Sequence, residues 1–555
     1  MFVLDEFASL RSFIYIADES FEEKAMTCAR QKRVLAVEND VHFRHSLQVL
    51  LEANGYRVFG AGTADEGMLI ATRKRVHVAV LDIRLKNDPD RDDMSGLVLA
   101  RELDPLIIKI MMSAYPNVEV LRSTFGDVSA FTFVDKEDPP GKLLEELAKA
   151  FDEKVKINFD LSIGWQGISL EEVARDIEID DRPPLEALEA EVDELLCKLF
   201  SQADEIQVSR LIPVDRIPSA SQSGAVLLKV QPHFERTGWG THMVVKLAAR
   251  DKIEVEAVNY EQYVDGFIAG FRHTKIHHRV ETHLLGGIIY TLVGTPIEEC
   301  VDLGNFYAEH SASETVRVLE GLFKEICCHW YANRDPRRTH DMMQLYARPL
   351  KLKMDRLDTA LAEAGLSDWA GGRRVRHKIA GLKGRFFNPI EWLGRTPNLP
   401  AQTSLCSTHG DMHSRNLLVD PDHHAWLIDF YRTGPGHLFR DLIELESDVK
   451  FTLLDVTDLP SLLRFESALL SADHFNDAPT IPSFEEPRLT KAFRVVQGIR
   501  HIAGQLADPG ADMLDYYQGL LLQTLSVIRL RHVTPEKKRH VYLAAALLVE
   551  QLERW

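Results

Sequence analysis

Residues 408–431 read T-H-G-D-M-H-S-R-N-L-L-V-D-P-D-H-H-A-W-L-I-D-F-Y. His409, Gly410 and Asp411 form a turn, and His413 and Asn416 follow within reach of it. The apolar run Leu417 to Val419, the polar turn Asp420 to His424 and the second run Ala425 to Ile428 predict a β-hairpin. The hairpin returns Asp429 to the Asp411 turn, so two carboxylates and an amide oxygen converge. Such a set suits phosphoryl transfer from Mg-ATP, in which the protein positions groups and neutralises charge. One Asp accepts or orients the attacking hydroxyl, and the Asn and the second Asp hold the metal.

The pattern H-G-D-x-H-x-x-N followed by I-D-F resembles the aminoglycoside phosphotransferases and their choline-kinase-like relatives. The resemblance implies an α+β two-lobed protein-kinase-like fold over residues 206–555. It makes Asp411 the catalytic base, Asn416 and Asp429 the Mg²⁺ ligands that complete the catalytic set, and His413 a loop-shaping residue. Its strong motifs are confined to Lys246, 408–416 and 428–430.

Composition bounds the rest. A chain of 555 residues is too long for one core, so several domains are expected; 45% apolar and 27% charged residues describe a soluble globular protein. A net charge of -19 argues against nucleic-acid binding, which needs clustered Lys and Arg. Met1 to Ser20 lacks the features of a secretory signal, and no long uninterrupted apolar run predicts a membrane span. Cys28, Cys197, Cys300, Cys327, Cys328 and Cys406 show no metal-ligand spacing and are read as reduced core residues, which leads to a cytoplasmic expectation.

Residues 1–30 are an acidic, mixed extension. From Lys32, strands at Arg33–Val37, Tyr56–Gly60, Val76–Leu81, Leu106–Met112 and Ala130–Val134 alternate with helical patterns. This alternation predicts an α/β doubly wound parallel sheet covered on both faces over residues 31–152. In such sheets ligands bind beyond the carboxyl ends of the strands. Those ends carry Glu38, Asn39 and Asp40, then Asp82, Ser113 and Lys136.

This order resembles the response-regulator receiver domain, a flavodoxin-like fold. The resemblance implies Asp82 as phosphoacceptor, Ser113 and Lys136 as its phosphoryl-binding partners, and Glu38 with Asp82 as Mg²⁺ ligands. Phe133 matches the aromatic position that rotates on modification. Two departures stand out. Glu38–Asn39 replaces the usual pair of adjacent carboxylates, which weakens a hard-cation site. Lys86 to Ser95 is an acidic insertion in the acceptor loop. A receiver fold kept as an unphosphorylated docking module is the alternative.

Residues 153–205 are read as a helical linker, with Leu185, Leu188, Val192, Leu195 and Leu199 at helical spacing. Strands at Ile206–Val214, Ala225–Val230 and Met243–Ala248 then predict an antiparallel sheet within 206–296. The small-residue turn ending in Ser223 and Gly224 is a candidate to present N–H groups to phosphates. Lys246, in M-V-V-K-L, is costly to bury unless paired. By resemblance it holds the nucleotide phosphates and is steered by a glutamate of the next helix; Glu256 is the first candidate and Glu261 the alternative. A hairpin around Gly286–Gly287 leads to Leu292, Val293 and Gly294, candidates for adenine contact.

Residues 297–555 are helical, with Val316–Tyr331 as a core helix. The basic residues Arg334, Arg337, Arg338, Arg373, Arg374, Arg376, His377 and Lys378 are read as a solvated face, with recruitment of a phosphorylated or acidic partner as the alternative. Asp441, in R-D-L, is expected at the next helix start, bonding the catalytic turn as an N-cap. The expected function is ATP- and Mg²⁺-dependent phosphorylation of a hydroxyl on an unknown substrate, small molecule or protein, under control of the receiver. A histidine kinase or other signalling or conflict-system protein is the implied partner. The alternative is a catalytically weak, nucleotide-binding scaffold.

Overall fold

The structure is a computed structural model that describes residues 31–555 except 87–92, 115–125, 127–128, 212–223, 268–273, 293–296, 371–374, 478 and 531–532. The extension 1–30, Cys28, Ser223, Val293, Arg373 and Arg374 lie outside the described residues. Two compact units are present: one comprises residues up to 162 with 196–206 and 233–238, the other 163–195, 207–232 and 239–555.

In the first unit, β1 (Lys32–Val37), β2 (Tyr56–Ala61), β3 (Val78–Asp82), β4 (Ile108–Ser113) and β5 (Thr132–Asp135) form a parallel sheet in the order β2-β1-β3-β4-β5. Successive side chains alternate between faces, so each apolar strand feeds two cores. Leu35, Val37, Ala79, Leu81 and Met111 pack on one side; Val34, Ala36, Val78, Val80, Ile110 and Met112 pack on the other. Both faces are covered because neither can meet water.

In the second unit the sheet path is β11-β12-β10-β8-β7-β6, with β9 paired to β8. Its strands are β6 (Ser162–Gln166), β7 (Glu205–Arg210), β8 (Val226–Phe234), β9 (Gly238–Trp239), β10 (Met243–Ala249), β11 (Thr274–Glu281) and β12 (Leu285–Leu292). The β8–β10, β10–β12 and β11–β12 pairings are antiparallel.

Three expectations are corrected here. Residues 153–205 are not a simple helical spacer: β6 joins the sheet beside β7, and Glu191 of helix Leu185–Leu199 bonds the turn between β11 and β12. Glu191 Oε2 accepts from Leu284 N at 2.9 Å, Leu285 N at 3.0 Å and the Thr282 hydroxyl at 2.5 Å. That turn occupies Thr282 to Leu284, and Gly286 and Gly287 lie inside β12. The reason is packing: a Cβ on Gly286 would stand 2.8 Å from Ile253 Cβ, so the glycine lets the helix Arg250–Asn259 approach the strand. Finally, the core helix predicted over Val316–Tyr331 divides into Ala312–Gly321, a wide turn Leu322–Ile326, and Cys328–Ala332.

The helical remainder packs on one apolar core that includes Phe306, Trp330, Trp426, Phe430, Phe451 and Tyr516. No helix among the described residues is long and apolar enough to cross a membrane.

Candidate functional site

Lys246 sits in the middle of β10, opposite Leu227 of β8 and Ile288 of β12, and is 1% exposed. It is therefore not an edge lysine. Lys229, its competitor, is half-buried and makes no ion pair among the described residues. The helix Arg250–Asn259 places Glu256 in the core, where Oε2 lies 2.7 Å from Lys246 Nζ. Glu256 Oε1 accepts from Phe430 N at 3.0 Å and from the Tyr290 hydroxyl. Glu261 is exposed, so the structure pairs the lysine with Glu256.

Strands Leu417–Val419 and Ala425–Leu427 form the predicted hairpin, with Leu417 opposite Leu427 and Val419 opposite Ala425. It delivers Asp429 with a φ of 70°, a left-handed conformation costly for a residue with a Cβ. Asp429 Oδ1 lies 2.6 Å from Lys246 Nζ. One ammonium thus bridges two buried carboxylates. Burial would lower the Lys246 pKa, but Asp429 and Glu256 raise it above the ordinary value and keep the ammonium charged. Burial opposes charge on Asp429 as well, yet Lys246 holds its pKa below the usual carboxylate value. Glu256 goes the other way: burial outweighs Lys246, and its pKa is raised.

The Asp411 turn is held by one helix. In Arg440–Asp448, three carboxylates take turn N–H groups: Asp441 from His409 at 2.8 Å and Gly410 at 2.9 Å, Glu444 from Met412 at 2.7 Å, and Asp448 from Ser414 at 2.8 Å. Asp441 lies within the first turn of this helix, after the N-cap Phe439, so its carboxylate serves the turn and not its own helix end. Tyr331 also donates to it, at 2.7 Å. Glu444 and Asp448 were not singled out in the sequence. Their signal is the spacing 441, 444, 448, which puts three acids on one helical face. Gly410 has a φ of 77°, and a Cβ there would stand 2.4 Å from the Arg432 carbonyl oxygen.

With the backbone so held, the Asp411 carboxylate is left to face Arg432 Nη1 at 3.3 Å and His413 Nε2 at 4.0 Å. Asn416 Nδ2 donates to the Asp411 carbonyl at 2.9 Å, and Ile428 N donates to the Asn416 carbonyl at 3.1 Å. The Asp411 turn, Asn416 and the segment entering Asp429 are thus tied together by hydrogen bonds. His409 is fully buried and kept neutral by that burial; its Nε2 lies 3.1 Å from the Ile428 carbonyl. His413 Nδ1 accepts from Arg415 N at 3.3 Å, a loop-shaping contact.

A hard divalent cation takes oxygen ligands, and Mg²⁺ keeps several waters beside one or two protein ligands. Asn416 Oδ1 and Asp429 Oδ2 accept no hydrogen bond among the described residues, so this donor set fits Mg²⁺. Among the described residues no three or more His, Cys, Asp or Glu are grouped to hold a metal. Gly224 enters β8 with a φ of 65°, and its carbonyl accepts from Glu178 N at 2.9 Å.

At the carboxyl rim of the parallel sheet, Lys136 Nζ lies 2.8 Å from Glu38 Oε2 and 3.1 Å from Asp82 Oδ2. Lys136 N donates to the Ser113 carbonyl at 3.0 Å. Burial lowers the Lys136 pKa, but Asp82 and Glu38 together raise it. Asp40 caps helix Val41–Ala53 through Phe43 N at 2.8 Å, so it does not replace the missing second acid. Asn39 Oδ1 is buried with no hydrogen-bond partner among the described residues. Two carboxylates beside an amide oxygen fit a hard cation here too.

Residues 34–148 match the response regulator receiver domain model. Residues 219–386 and 376–527, together more than half of the chain, match the model described as ternary complex associated domain 9. The chain belongs to the ternary complex associated domain 9 family. It also carries a receiver domain, which gives this member of the family a signalling, regulatory role. Three solved structures are similar to the receiver segment. A CheY-like response regulator receiver domain protein from Methanospirillum hungatei JF-1 is 31% identical, covering 22% of this chain and 96% of its own, with a TM-score of 0.21. The signal receiver domain of a modulated diguanylate cyclase from Desulfovibrio desulfuricans G20 is 24% identical, covering 22% and 96%, with a TM-score of 0.20. A response regulator from Thermotoga maritima is 18% identical, covering 22% and 99%, with a TM-score of 0.20. No curated protein matches the chain.

Proposed function

We propose that residues 206–555 form a two-lobed, protein-kinase-like phosphotransferase that uses Mg-ATP to phosphorylate a hydroxyl, regulated by the receiver domain. The observation that carries this reading is the Glu256–Lys246–Asp429 bridge, with contacts of 2.7 and 2.6 Å, next to an Asn416 bonded to the Asp411 turn. Phosphoryl transfer asks for this inventory: a lysine steered by a glutamate, a metal-binding Asp and Asn, and a separate Asp at the attacking hydroxyl.

In this reading Asp411 receives the proton of the acceptor hydroxyl. The acceptor oxygen forms a bond to the γ-phosphorus, the bond from that phosphorus to the β,γ-bridging oxygen breaks, and ADP leaves with the electron pair. Lys246 orients the nucleotide phosphates, while Asn416 and Asp429 would hold Mg²⁺, which would supply neutralisation of phosphate charge. Asp82 is the phosphoacceptor of the receiver, with Ser113 and Lys136 binding the phosphoryl oxygens, and a histidine kinase is its donor. We place the protein in the cytoplasm, in keeping with free thiols at Cys197, Cys300, Cys327, Cys328 and Cys406.

The test is ADP formation by the purified chain with Mg-ATP. Asp411→Asn lowers turnover by about 10²–10⁴-fold, the contribution of a positioned general base, with nucleotide affinity nearly intact. Wild-type turnover in Asp411→Asn defeats the assignment. A second reading, a nucleotide-binding scaffold, is favoured by Asp429 Oδ1 being already paired with Lys246 and by the description "ternary complex associated". Nucleotide binding without ADP formation selects it.

A further inference from the structure

Beside Asp411 lies a cavity of about 230 Å³ whose charges are unevenly satisfied. Its lining carries Asp411, Glu444 and Asp448; the latter two accept the turn N–H groups already described. The lining also carries Lys351, Arg415, Arg432 and Arg529. Arg432 is paired with Asp411, whereas Lys351, Arg415 and Arg529 make no ion pair among the described residues. Arg529 Nε and Gln523 Oε1, both from the lining, are buried without a hydrogen-bond partner. Among the described residues the guanidinium of Arg529 reaches only the Lys351 carbonyl, at 3.5 Å. Burial, with Arg356 and Arg432 nearby, lowers its pKa, but arginine does not shed its proton in proteins.

Lys351 is exposed and Arg415 half-buried, so the unmet demand lies in the buried Nε of Arg529, which an arriving anion satisfies while the other two add charge; in a chain of net charge -19 such a cluster is not a background feature of the surface. Small-molecule sites usually span about 300–1,000 Å³, so this cavity suits a small ligand rather than a folded partner. We infer that the acceptor is a small alcohol bearing a phosphate or carboxylate group, its anion held by Arg529, Lys351 and Arg415 and its hydroxyl set at Asp411. This rests on the phosphotransferase reading and names its substrate class. The transfer is balanced as above: the acceptor O–P bond forms, the β,γ-bridging P–O bond breaks, ADP departs, and Asp411 takes the proton.

The experiment titrates the full chain with inorganic phosphate and, separately, with glycerate, by calorimetry. Wild type, Arg529→Gln and Lys351→Gln are compared, each with and without a saturating non-hydrolysable Mg-ATP analogue. The expected result is binding of at least one probe that persists beside the analogue and weakens about tenfold or more in Arg529→Gln and Lys351→Gln. Phosphate without glycerate binding assigns a phosphate group, and the reverse a carboxylate. No binding of either probe, binding indifferent to Arg529→Gln and Lys351→Gln, or binding displaced by the analogue overturns the inference. ADP formation without anion binding overturns the acceptor assignment alone. Anion binding without ADP formation overturns the phosphotransferase reading beneath it.

Discussion

Lys246 Nζ lies 2.6 Å from Asp429 Oδ1, joining the centre of a sheet to a residue 183 positions later in the chain. The same ammonium serves Glu256 at 2.7 Å, so one cation compensates two buried acids. Removing it is worse than losing a salt bridge, because charges are left behind in a dry site. Lys246→Met should destabilise the chain by about 3–5 kcal/mol, the usual cost of breaking a buried pair from one side. The acids can escape the penalty only by binding protons, which the folded variant then holds more tightly than its unfolded chain. Stability of the variant therefore falls as pH rises through the carboxylate range, and the deficit is smaller at about pH 5 than at about pH 8. Urea unfolding at both pH values checks this; an equal deficit at both rejects the bridge as drawn.

Glu256 and Glu261 were both open as the partner of the lysine, and only Glu256 reaches it. Glu256→Gln should lower kcat/KM for ATP by about tenfold or more, a change of about 1.4 kcal/mol. Glu261→Gln, on an exposed carboxylate, should stay within about twofold. Steady-state kinetics on the two variants separates them, and equal effects contradict the geometry.

What the sequence disclosed follows from where hydrophobic contrast is strong. V-L-A-V and V-A-V-L-D read as strands because a sheet covered on both faces needs nearly unbroken apolar runs. Lys246 stood out for the opposite reason, a charge inside such a run. The edge strand Ser162–Gln166 was missed because S-I-G-W-Q is short and only half-buried. Gly286 and Gly287 read as a turn because glycine usually marks one; at Gly286 the cause is the approach of Ile253, a tertiary contact. Glu444 and Asp448 share one helical face with Asp441, a spacing that by itself does not say what the acids meet. They serve N–H groups of a turn about thirty residues upstream, a tertiary contact that the spacing flags but does not identify.

Glu444 also makes stability depend on pH near neutrality. Burial raises its pKa from 4.5 to about 7; Arg440 opposes the shift, and Asp411 and Asp441 add to it. Between these values the folded chain keeps a proton that the unfolded chain releases, so stability declines as pH rises across that window. The total is about 3 kcal/mol. Glu444→Gln, which still offers Met412 an acceptor oxygen, should remove this component. Urea midpoints measured from about pH 5 to about pH 8 should fall in the wild type and flatten in the variant; an unchanged slope assigns the dependence elsewhere.

At the receiver rim, Lys136 bridges Glu38 and Asp82 where a second carboxylate is replaced by Asn39. The amide oxygen of Asn39 is buried and unpartnered, so the position keeps an oxygen donor but has lost a charge. Affinity for a hard cation follows the charge count of its ligands. Asn39→Asp should therefore tighten Mg²⁺ binding by about tenfold. Because the Asp411 region is also read as a Mg²⁺ site, the receiver component must be isolated as the part of the calorimetric signal lost in Asp82→Asn. If that component is no tighter in Asn39→Asp than in the wild type, the missing charge does not limit the site.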